Sequence, residues 1–119
     1  MFLIHEFDNA IFAELTDKKR RISEVQDAID LMADAGYYGS TGLIIMEQNL
    51  HPDFFKLQTK LAGDILQKFS NYRFKLAIIG DFSKYKSKKL QDFIRESNKG
   101  NSIFFKADIN EALCTMARR

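Results

Sequence analysis

The residues best suited to chemistry in this chain stand where apolar runs end. Leu76-Ala77-Ile78-Ile79 gives way to Gly80-Asp81-Phe82-Ser83-Lys84-Tyr85. Gly80 lets the backbone turn sharply, and Asp81 is of the type that accepts from nearby N–H groups. Ser83, Lys84 and Tyr85 add a hydroxyl, a cation and an aromatic edge, a set fit to meet a ligand or a protein partner. The plainer expectation is that Asp81 and Ser83 satisfy loop backbone while Lys84 is solvated. Asp53, placed at a helix start, and the pair Asn98 and Lys99 complete the candidate contact set. Glu47-Gln48-Asn49 and Lys106-Ala107-Asp108 follow two other apolar runs.

Other chemistries find no footing. His5 and His51 are the only histidines and share no H-x-x-x-H spacing, and Cys114 is the lone cysteine. Neither a metal site, a disulfide nor a bound cofactor is expected. The chain lacks the G-x-G-x-x-G and G-x-x-x-x-G-K-[ST] phosphate loops and the G-x-S-x-G elbow. No catalytic residue is assigned. Lys84, Lys86, Lys88 and Lys89 around Tyr85 invite a nucleic-acid reading, in which cations meet phosphate and a ring stacks on a base. A sequence pI near 8.7 and the absence of RNP, KH or helix-turn-helix patterns argue against it, and a solvated helix start explains the lysines.

These residues need a frame to hold them, and apolar periodicity supplies one. Phe2 to Phe7 and Ala10 to Leu15 read as a hairpin about Asp8-Asn9. Ser23 and Gln26 form a capping-box pattern opening a helix with Val25, Ala28, Ile29, Met32 and Ala35 on one side and Asp27, Asp30 and Asp34 on the other. Gly42 to Met46 is a strand buried on both faces. Pro52 suits a first helical turn, and Phe54, Leu57, Leu61, Ile65, Leu66 and Phe69 carry one helix to about Asn71, with Gly63 implying close backbone approach. Phe74 to Ile79 is a further strand. Ser87 caps a helix that Gly100 stops; Ile103 to Phe105 is the last strand, and Asp108 with Glu111 starts a final helix whose Cys114 packs as a buried hydrophobe. The order ββαβαβαβα predicts one α/β domain, a largely parallel sheet flanked by helices.

Composition agrees. The 119 residues are 45% hydrophobic and 29% charged, with 11 Phe and 4 Tyr to fill a core. No apolar run approaches the roughly 20 residues of a membrane span, the first residues lack a basic signal-peptide region, and a reducing cytoplasm is expected. The net charge of +2 conceals an asymmetry: residues 1–66 hold 6 Lys/Arg against 11 Asp/Glu, and residues 67–119 hold 12 against 5. An acidic half and a basic half allow head-to-tail pairing of copies, so a homo-oligomer is a further expectation.

Several strings carry a resemblance. Leu61-Ala62-Gly63-Asp64-Ile65-Leu66-Gln67-Lys68-Phe69, Gly80-Asp81-Phe82-Ser83-Lys84-Tyr85 and Glu96-Ser97-Asn98-Lys99-Gly100 are similar to a bacterial domain-of-unknown-function family, numbered four thousand one hundred and eighty. That resemblance covers nearly the whole chain and implies a bacterial cytoplasmic protein, with no reaction attached. The element order also resembles STAS domains, the sulfate-transporter and anti-sigma-factor-antagonist fold, which implies a protein-docking switch by fold analogy alone. Switches of that kind are phosphorylated on Ser or Thr where the helix after the third strand begins. Here that region reads Leu50-His51-Pro52-Asp53-Phe54-Phe55, without a hydroxyl, and Asp53 supplies a fixed charge instead.

Two functions follow as expectations. The preferred one is a non-catalytic regulatory domain that binds a protein partner through Asp53, Asp81, Ser83, Lys84, Tyr85, Asn98 and Lys99. The alternative is a small-ligand sensor or enzyme using the crevice around Asp81 and Lys84. A concave apolar pocket of several hundred Å³ would favour the second reading and a flat edge the first.

Overall fold

The computed structural model describes all 119 residues. Strands β1 (Phe2–Phe7) and β2 (Ala10–Leu15) form the antiparallel hairpin, with Phe7 opposite Ala10. Asp8 and Asn9 take φ of 51° and 66°, the left-handed pair that a two-residue hairpin turn demands and that these types tolerate. Three parallel strands follow: β3 (Gly42–Met46), β4 (Lys75–Ile79) and β5 (Ile103–Lys106). The spatial order β1-β2-β3-β4-β5 is the chain order.

Helices α1 (Val25–Tyr37), α2 (Leu61–Asn71) and α3 (Lys88–Lys99) pack on one face, where Leu43, Ile45, Leu76, Ile78 and Phe105 meet Leu31, Ile65 and Ile94. Helix α4 (Ile109–Arg118) covers the other, with Ala112, Leu113 and Met116 on Phe12, Ile44, Ala77 and Phe104. Covering both faces removes the alternation of a half-exposed strand, so β3 reads as an unbroken apolar run.

Four local expectations are corrected. Pro52 to Asn71 is not one helix: 3₁₀ turns span Pro52–Phe55 and Leu57–Thr59, Lys60 turns left-handed at φ 67°, and only then does α2 begin. The apolar stripe is satisfied either way, since Phe54 and Phe55 are buried from the first turn. The cap of α1 is shifted by one residue: Glu24 is the N-cap, and the Asp27 carboxylate accepts from the backbone of Ser23 at 2.9 Å and Glu24 at 3.2 Å. Gly63 is exposed, and a Cβ there would meet nothing within 4 Å, so no backbone approaches it. Cys114 is only partly buried.

Because strand order never reverses, the sheet lacks the switch point at which doubly wound folds open their crevice. Irregular chain between β3 and α2 shapes that end of the sheet instead.

Candidate functional site

Asn49 anchors that irregular chain. It is wholly buried; its Oδ1 accepts from Met46 N at 2.9 Å, and its Nδ2 donates to the carbonyls of Asp17 and Arg20 at 3.1 and 2.9 Å. Ile22 and Leu50 pair beside it as a parallel bridge. A buried amide with its bonding capacity so used fixes where β3 must end. Glu47 is thereby held at the carboxyl end of β3, facing the turn that leaves β4.

That turn is built from its own side chains. Asp81 Oδ1 accepts from Ser83 N at 3.1 Å and Ser83 Oγ at 2.6 Å, and those two bonds hold its carboxyl below the usual carboxylate range. Gln91 of α3 donates to the carbonyls of Phe82 and Tyr85, both at 2.8 Å, which clamps the turn to the helix. Gly80 fits because a Cβ would stand 2.7 Å from Glu47 Oε1 and 2.9 Å from Glu47 Cβ.

Glu47 is the meeting point. Lys84 Nζ lies 2.8 Å from its Oε2, and the Tyr85 hydroxyl donates to the same oxygen. Burial, and then the Glu47 carboxylate, hold the Tyr85 phenol well above its ordinary value of 10.0. In that bond the phenol is the donor and the carboxylate the acceptor. The Tyr85 ring stacks on Phe55 at 4.6 Å between centroids and 13° between planes, and Lys84 Nζ sits 5.5 Å from the Tyr85 centroid.

A cleft of about 600 Å³ opens over this group, walled by Met46, Leu50, Phe55, Ile79 and Tyr85, with Glu47, Lys56 and Lys84 as its charged members. This volume lies within the range of small-molecule sites. No group of His, Cys, Asp and Glu is arranged to hold a metal ion.

A family profile described as a domain of unknown function (DUF4180) matches residues 7–116. The chain belongs to the DUF4180 family. No curated protein and no solved structure gives a match.

Within this DUF4180 domain the candidate residues separate. Lys84 and Tyr85 line the cleft, while Asp81 and Ser83 satisfy the turn beneath them, as the plainer expectation had it. Asp53 lies on the Pro52–Phe55 turn with its carboxylate 3.7 Å from His51 Nδ1. Asn98 Oδ1 accepts from Phe105 N at 2.8 Å, tying α3 to β5. Lys99 pairs with Glu96 at 3.7 Å at the far end of α3, about 17 Å along the helix from Lys88 at its start at 1.5 Å per residue, and does not line the cleft. Sequence reasoning did not select Glu47, Phe55, Lys56 or Gln91. Position immediately after a buried strand was the available signal for Glu47.

No helix of the DUF4180 domain is long and apolar enough to cross a membrane.

Proposed function

We propose that this domain binds a small organic molecule in the cleft at the carboxyl ends of β3 and β4 and acts as a sensor. One observation carries the reading: an apolar hollow of about 600 Å³ converges on a bonded Glu47, Lys84 and Tyr85. A flat docking edge offers no such concavity, and a stacked Phe55–Tyr85 wall suits a planar ligand body. Regulation of a protein partner fits the same reading, with Lys86, Lys88 and Lys89 exposed beside the clamped turn to report occupancy. An element order that resembles that of STAS docking domains is the fold analogy behind that partner role. A lone cysteine fits a reducing, cytoplasmic setting, and the resemblance to a bacterial family is what implies a bacterium.

The test is a titration with N-phenylnaphthylamine, a neutral planar probe, followed by fluorescence and amide chemical shifts. Saturable binding with shifts confined to Met46–Phe55 and Ile79–Tyr85 is expected, and a folded Met46→Trp variant should lose it by filling the hollow. Scattered shifts, or binding untouched by Met46→Trp, would sink the assignment.

A further inference from the structure

A second depression adjoins the first. It measures about 490 Å³ and is lined by Phe55, Lys56, Leu57, Gln58, Ser87 and Lys89. Phe55 and Lys56 line both hollows, so a single molecule can reach across the Phe55 ring from one into the other.

The two hollows differ in charge. In the first, the one carboxylate, Glu47, is already met by Lys84 and the Tyr85 hydroxyl. The second has no Asp or Glu in its lining, and neither Lys56 nor Lys89 has a carboxylate within 4.0 Å. Ser87 Oγ accepts from Leu90 N at 3.2 Å, which leaves its O–H as a donor. The hollow therefore presents two ammonium groups and a hydroxyl donor, with the Gln58 carbonyl as the one side-chain acceptor apart from the engaged Ser87 oxygen.

We infer that the two hollows form one site for an amphipathic organic anion, whose flat apolar body packs against the Phe55–Tyr85 stack and whose anionic group sits between Lys56 and Lys89. This rests on the cleft reading above and adds the charge and extent of the ligand. Charge-assisted bonds to an anion are shorter and stronger than neutral ones. Phosphate ester and carboxylate share the chemistry required.

A matched probe pair separates this inference from the cleft reading. Anilinonaphthalene sulfonate carries the anion that N-phenylnaphthylamine lacks. At low salt the sulfonate should bind about tenfold tighter, the equivalent of one charge-assisted bond. The Lys56→Gln/Lys89→Gln double variant should erase that advantage, and Lys89→Gln alone, whose residue lines only the second hollow, should reduce it while leaving the neutral probe's affinity and the melting curve unchanged. Equal affinities for the two probes, or an advantage that survives the double substitution, would overturn the inference and leave the cleft reading intact. Failure of both probes to bind would overturn both. Naphthyl phosphate and naphthoate complete the set: the tighter of the two assigns the natural anion as phosphate ester or carboxylate, and each should lose affinity in the double variant.

Discussion

Single residues here show how context decides the worth of one type. Gly63 is the third residue of α2, in its first turn, with open space where a Cβ would stand, so its cost is conformational entropy and nothing offsets it. Gly63→Ala should raise stability by about 0.4–1 kcal/mol. Gly80 lies against Glu47, whose Cβ cannot swing away as a carboxylate tip can. Gly80→Ala should lower stability by roughly 1–3 kcal/mol, the usual cost of overpacking. Urea unfolding of the two variants checks the pair; equal shifts of one sign would refute the distinction. The sequence suggests close approach at Gly63 and a sharp turn at Gly80, whereas the three-dimensional neighbours put the close approach at Gly80. The same holds for Glu47. Its partner Tyr85 is 38 positions away, a separation that no local pattern spans.

At the scale of elements, periodicity located five strands and four helices because all but the edge strand β1 bury a continuous face. It misread Pro52 to Asn71 because the stripe Phe54, Leu57, Leu61 repeats at a spacing that 3₁₀ turns and an α-helix both bury. The break at Lys60 is a left-handed turn made by a residue with no such preference, held by its neighbours. One neighbour is Thr59, whose Oγ1 donates to the carbonyls of Asp53 and Lys56 at 2.7 and 2.8 Å. The cleft thus owes its wall to side-chain bonds to backbone, which hydropathy does not register. Asn49 is the strongest of these. Asn49→Ala takes the side-chain acceptor from Met46 N and one donor each from the Asp17 and Arg20 carbonyls, which keep Arg20 N and Arg21 Nη1, and should cost roughly 1–3 kcal/mol. Denaturant unfolding measures that loss, and probe affinity should fall with it; a cost under about 1 kcal/mol would mean that water replaces the amide.

For the whole molecule, the apolar surface is unevenly spread. Of the six exposed large hydrophobic side chains, five (Met1, Leu3, Ile4, Tyr37 and Tyr38) gather where β1 ends the sheet beside the last turn of α1. The β1 strand carries neither Lys nor Pro, the usual means of blunting an edge. Leu3→Lys should leave stability within about 0.5 kcal/mol while reducing light scattering on concentration. Scattering that stays as high as wild type's would show that this edge does not drive association.

The agreement of strand order with chain order has a consequence for synthesis. During translation the hairpin is available first, and β3, β4 and β5 each add beside a strand already made, so no insertion between paired strands is needed. The covering of the two faces is not so evenly timed. Helices α1, α2 and α3 arrive between the strands that they cover, but α4 follows β5. Until it emerges, Phe12, Ile44, Ala77 and Phe104 form a bare apolar face of the sheet, and the nascent domain is most open to misassociation between the emergence of β5 and that of α4.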